Sequence, residues 1–120
     1  MKYMLLCYDD EQYWEKAGEA ALKAAMNEAV GLTHELAAKG QYIEAAPLEP
    51  SSTAAHVRVR DGKRLVTDGP FVETNEVLGG YYLIDVENLD EAIRIAERHP
   101  GAPVGTVEIR PVMELPNLPK

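Results

Sequence analysis

Two stretches of this 120-residue chain gather side chains that could do chemistry. The denser is Thr67-Asp68-Gly69-Pro70-Phe71. Glycine accepts a positive φ and proline locks its own, so an Asp-Gly-Pro run predicts a sharp turn. Such a turn would hold the Asp68 carboxylate against backbone amides, or present it as an acid or base at the mouth of a pocket. The second stretch is His56, Arg58 and Arg60, which alternate along a strand-like run and share one face. Arg64 is expected to return across from them after Asp61-Gly62. A basic face of that kind suits a small carboxylate or phenolate, and equally suits plain hydration. Tyr3, Tyr81, Tyr82 and Phe71 supply aromatic walls. The roles assigned from these residues are catalysis for Asp68 and His56, and substrate binding for Arg58, Phe71, Tyr81, Tyr82 and Tyr3. The reaction class is proton transfer or elimination. Glu73 and Glu76 form a carboxylate pair three apart, read as a solvated loop. His34 and His99 fall near helix C-termini, where the helix dipole favours a cation, and are read as surface and terminal residues. No paired metal-ligand spacing, phosphate loop or nucleophile elbow is present, so neither metal nor cofactor is expected.

These residues must be positioned by a small number of elements. Lys2 to Tyr8 is a short apolar run halted by Asp9-Asp10-Glu11, which predicts a buried strand. Leu22, Ala25, Ala29, Leu32 and Leu36 make one apolar stripe on a helix from about Gly18 to Lys39, with residues before Gly18 forming a separate short piece. Gln41 to Ala46 reads as a short strand before Pro47 and Pro50. Thr53 to Arg60 and Lys63 to Thr67 read as a hairpin around Asp61-Gly62. Gly79 to Val86 is a further strand. Asn88 and Glu91 stand at capping-box spacing before a helix whose face is Leu89, Ala92, Ile93 and Ala96. Val104 to Leu115 closes the order. Residues 1–115 make one domain and 116–120 a frayed tail. Two helices crossing over between strands predict an α+β, ferredoxin-like βαββαβ sheet with both helices on one face.

The strands also speak about partners. Met4, Leu6 and Tyr8 alternate with Tyr3, Leu5 and Cys7; Tyr82, Ile84 and Val86 alternate with Tyr81, Leu83 and Asp85. Both faces are largely apolar, yet two helices can cover only one. A homodimer packed sheet to sheet is the simplest cover, with folding of the 44–53 and 71–78 segments over the face as the alternative. A formal net charge of −8 argues against nucleic acid as a partner. No apolar run approaches membrane-spanning length, and the N-terminus carries no secretory pattern, so a cytoplasmic location is expected. A single cysteine, Cys7, makes no internal disulfide.

Val66-Thr67-Asp68-Gly69-Pro70-Phe71-Val72-Glu73-Thr74-Asn75-Glu76, followed by Leu78-Gly79-Gly80-Tyr81-Tyr82, resembles DGPF-type members of the YCII-related family. The opening Met1-Lys2-Tyr3-Met4-Leu5-Leu6, the later Asn88-Leu89-Asp90-Glu91-Ala92 and Val107-Glu108-Ile109-Arg110-Pro111 extend the likeness over about residues 1–113. The resemblance implies a dimeric α/β-barrel, two ferredoxin-like sheets packed face to face. Its wider superfamily holds lactone isomerases, monooxygenases without metal or flavin, and a branch credited with dehydrochlorination of hydroxylated aromatics. The YCII branch is thought to use a His and an Asp together, and DGPF-type proteins are linked to extracytoplasmic-function sigma factors. Two readings follow. One is a cofactor-independent enzyme acting on a small aromatic or acidic molecule; the other is a non-catalytic module that binds a ligand or a protein such as a sigma factor.

Overall fold

In the computed structural model, which describes residues 1–69 and 75–119, the apolar opening forms strand β1 (Lys2–Asp9). Its alternation is clean: Tyr3, Leu5 and Cys7 are buried, while Lys2, Met4, Leu6 and Tyr8 are half-buried. Asp10 ends the strand and starts helix α1 (Glu11–Ala17), its side chain accepting from the amides of Gln12 at 3.0 Å and Tyr13 at 3.4 Å. Gly18, at φ 94°, separates α1 from helix α2 (Glu19–Ala38), as the glycine in the sequence suggested. Only Leu32 and Leu36 of α2 are fully buried.

Strand β2 (Tyr42–Pro47) follows α2, and a 3₁₀ turn at Ser51–Thr53 leads into hairpin strands β3 (Ala55–Arg60) and β4 (Lys63–Asp68). Strand β5 (Val77–Asp85), helix α3 (Leu89–Glu97) and strand β6 (Thr106–Pro111) complete the chain. Asn88 caps α3 by accepting from the Glu91 amide at 3.0 Å. Glu91 reaches back to the Glu87 amide, one residue short of a reciprocal capping box.

The main sheet is antiparallel, in the order β2-β5-β1-β6. Each helical connection therefore skips one strand, the split βαβ arrangement of a ferredoxin-like α+β fold. Leu32 and Leu36 of α2 and Ala92, Ile95 and Ala96 of α3 join Tyr3, Leu5, Cys7, Tyr82, Ile84 and Val86 in one core. Both helices thus cover the same face. Burying a side chain such as Ile84 or Leu5 contributes about 1.5–3 kcal/mol.

Among the described residues the hairpin does not join that sheet. The strand beside β5 is Tyr42–Pro47, and β3 pairs only with β4 as a separate two-stranded sheet. Asp61 at φ 52° and Gly62 at φ 74° make its turn, since a two-residue hairpin connection needs positive φ at both positions. Gly69, at φ 82°, turns the chain at the other end, and its amide bonds the Ala54 carbonyl at 2.7 Å. Val57 and Val59 are 64% and 61% exposed, so within one chain the hairpin is an uncovered arm.

Candidate functional site

The hairpin register separates the residues first assigned to catalysis. Ala55 faces Asp68, and His56 faces Thr67. Directly opposed residues share a face and neighbours alternate, so Asp68 and His56 lie on opposite faces of the arm. Arg58 shares its face with His56 and Leu65, whereas Arg64 sits opposite Val59 on the other face, apart from Arg58 and Arg60. Asp68 is exposed, and His56 is half-buried. Phe71 lies outside the described residues, with Pro70, Glu73 and Thr74.

The aromatic residues are likewise divided. Tyr3 and Tyr82 are 3% and 5% exposed within the helix-covered core, while Tyr81 pairs with Leu6 on the opposite face. They do not form one wall. Alternation places Tyr81 on the outer face, where a hydrogen bond to Glu44 and the nearby carboxylate raise its pKa.

What the fold brings together instead is a group at one end of the helix-covered face: Asp9 at the end of β1, Trp14 on α1, Tyr82 on β5 and His99 just past α3. Asp9 is carried there by the strand alternation that buries Tyr3, Leu5 and Cys7. A bulge in β5 shapes the spot, because Cys7 pairs with Gly80 and Tyr8 with Leu78, leaving Gly79 extra. A Cβ on Gly79 would fall 2.3 Å from Asp9 Oδ2. A Cβ on Gly101 would fall 2.9 Å from both Asp9 Oδ1 and His99 Nε2. Two glycines therefore make room for one carboxylate, and the second also makes room for the imidazole beside it. Gly105 lets the 99–105 turn close over β1, since a Cβ there would be 2.2 Å from the Tyr8 carbonyl oxygen.

Hydrogen bonds tie the group down. Trp14 Nε1 donates to Asp9 Oδ1 at 3.4 Å, and Tyr82 Oη lies 2.9 Å from His99 Nδ1. The Tyr82 and His99 rings meet edge to face, with centroids 5.4 Å apart. Burial dominates the electrostatics. It raises the Asp9 pKa, an effect reduced by the Trp14 bond and by His99, and reinforced by Glu76 and Glu11. It lowers the His99 pKa, against the pull of Asp9 and of Glu28 on α2. It pushes the Tyr82 phenol up, with Cys7 and Glu28 adding to the shift, and pushes the Cys7 thiol up to about 12. The thiol is thus no nucleophile near neutral pH.

Burial thus favours a proton on Asp9 and disfavours a second proton on His99, the electrostatic setting in which acid–base groups work. His99 had been read as a helix-terminal residue, and Asp9 only as the stop of a strand. The partners lie 90 positions apart in the sequence, and only the pairing of β1 with β5 and β6 brings them together. His34 is exposed on α2, as expected. Among the described residues no group of three or more His, Cys, Asp or Glu side chains is arranged to hold a metal ion. No described helix is long and apolar enough to cross a membrane.

The architecture is that of a ferredoxin-like α+β domain with a hairpin arm inserted after its second sheet strand. A family model for the YCII-related domain matches residues 1–116, and the chain belongs to that family. It is also similar to a protein of Rhizobium meliloti (strain 1021), described as "Uncharacterized protein R00369". The two are 35% identical over 114 residues, spanning 93% of this chain and 92% of the relative.

Proposed function

We propose that the protein is a small-molecule acid–base enzyme whose working pair is Asp9 and His99, catalysing a proton transfer or elimination. The observation that carries this reading is the convergence of Asp9 Oδ1 and His99 Nε2 on Gly101, each 2.9 Å from where a Cβ would stand. One oxygen and one nitrogen that face the same space can take a proton from a substrate and stabilise the charge left behind. Trp14 and Tyr82 supply apolar surface beside them, which suits a small aromatic or unsaturated compound. The pair occupies the helix side of the sheet, so this reading moves the chemistry away from Asp68 and His56.

The test is hydrogen exchange in D2O with small phenols, lactones and aromatic ketones, followed by proton NMR. The wild-type chain is expected to exchange or convert at least one compound. Asp9→Asn should slow it about 10²–10⁴-fold, the usual contribution of a positioned acid or base. Asp68→Asn should leave it unchanged. If no compound reacts or binds, or if Asp68→Asn and not Asp9→Asn abolishes the effect, the assignment fails. Silence throughout would favour the protein-binding module linked to a sigma factor.

A homodimer completes the reading. The outer face of the sheet centres on Met4, Leu6, Leu78, Tyr81 and Leu83, and one face of the arm adds exposed Val57, Val59 and Val66. A second copy placed on this face would cover both surfaces.

A further inference from the structure

The proposed pair leaves open which member takes the proton. We infer that Tyr82 is a positioning residue that fixes the His99 proton on Nε2, making the imidazole a hydrogen-bond donor and leaving Asp9 as the group that accepts a proton. This rests on the acid–base reading above and assigns its two roles.

Tyr82 is buried, and its hydroxyl lies 2.9 Å from His99 Nδ1. A buried hydroxyl needs an acceptor for its hydrogen. Its cross-strand neighbours, Leu5 on β1 and Ala45 on β2, carry none in their side chains. Among the described residues His99 Nδ1 is the hydroxyl's one hydrogen-bond partner. A neutral imidazole has one N–H and one bare nitrogen. With Nδ1 bare to receive the Tyr82 hydrogen, the N–H falls on Nε2, the nitrogen that converges with Asp9 Oδ1 on the Gly101 position. The opposite tautomer would bring two hydrogens, from Nδ1 and from the phenol, to one contact and leave the phenolic one without an acceptor.

The charged and titratable groups around His99 agree. Asp9 faces it from β1, Tyr82 from β5 and Glu28 from α2, while Glu76 and Glu11 act on Asp9. The Asp9 and Glu28 carboxylates favour a proton on the ring. Burial opposes a second proton on the ring, and keeps the phenol protonated so that it has a hydrogen to give. In a reaction step, Asp9 would take a proton from carbon or oxygen of the substrate. The bond from His99 Nε2–H would meanwhile shorten toward the oxygen where the electron pair collects. The proton would then leave Asp9 for product or water, and the imidazole would end as it began.

The tautomer is read directly, without substrate, from long-range ¹H–¹⁵N spectra of ¹⁵N-histidine-labelled protein above the His99 pKa. His99→Gln assigns the signal against His34 and His56. The expected pattern has Nε2 protonated and Nδ1 bare. A protonated Nδ1, or a mixture of the two forms, overturns the inference and makes His99 the base. In Tyr82→Phe the loss of the donor should let the tautomers mix and should raise the His99 titration midpoint; an unchanged spectrum and midpoint would mean that Tyr82 has no such role. The wild-type spectrum decides the matter even if that variant fails to fold. The tautomer is independent of turnover, so failure of the enzyme reading in the exchange assay is distinguishable from failure here.

Discussion

At the scale of single residues, the burial of Asp9 costs stability that a purely structural residue would not. Asp9→Asn keeps an oxygen for Trp14 Nε1 and removes the buried charge, so its thermal midpoint at neutral pH should rise by a few degrees while exchange activity falls. The two members of the pair have opposite pH signatures. His99 binds its proton less readily folded than unfolded. As pH falls below the ordinary value of 6.5, the unfolded chain takes the proton first and stability is lost. Asp9 binds its proton more readily when folded, so acidification through the window just above the ordinary 3.8 returns stability. Denaturant titrations at stepped pH should show His99→Gln losing the first effect and Asp9→Asn losing the second. Gly79→Ala would place a methyl group against Asp9 Oδ2. It should displace the carboxylate and lower exchange, with near-wild-type circular dichroism.

At the scale of elements, Gly105 is the tightest joint. Its missing Cβ would strike the Tyr8 carbonyl, a backbone atom that cannot swing aside, so Gly105→Ala should cost roughly 1–3 kcal/mol in chemical denaturation. The same scale shows what the sequence could reveal. The short apolar run with its polar stop exposed β1, the stripe from Leu22 to Leu36 exposed α2, and Asp61-Gly62 exposed the hairpin turn, because each pattern is local. The last strand was shorter than read, ending at Pro111 rather than Leu115. That the hairpin stands apart from the main sheet was not legible, since strand propensity does not say which strand pairs with which. Tyr3 and Tyr82 were recognised as strand residues, yet which face the helices cover was not legible, so they were grouped with Tyr81. Asp9 and His99 escaped notice for the same reason: nothing local marks two residues that meet through tertiary pairing. The 2.2 Å and 2.3 Å approaches at Gly105 and Gly79 belong to that class too, appearing in the sequence only as glycines.

At the scale of the whole molecule, the proposed homodimer would be formed through the outer sheet face and the arm. Leu83→Lys places a charge amid Met4, Leu6 and Tyr81 on that face and should yield a species of 13.2 kDa by sedimentation, against twice that mass for the wild type. Equal masses for both chains would remove the dimer from the reading. The strand order carries a further consequence, for how the chain is made. β1, the first strand of this sequence, lies between β5 and β6, its last two. One of its pairing edges can be filled by β5 once Asp85 has been made, but the other waits for β6 and Pro111. Folding must therefore wait for nearly the whole chain, with long sequence separations to close and slow rates to match. Ribosome-bound chains stopped before β6 should be protease-sensitive throughout, and the full-length chain should acquire protection in a single step.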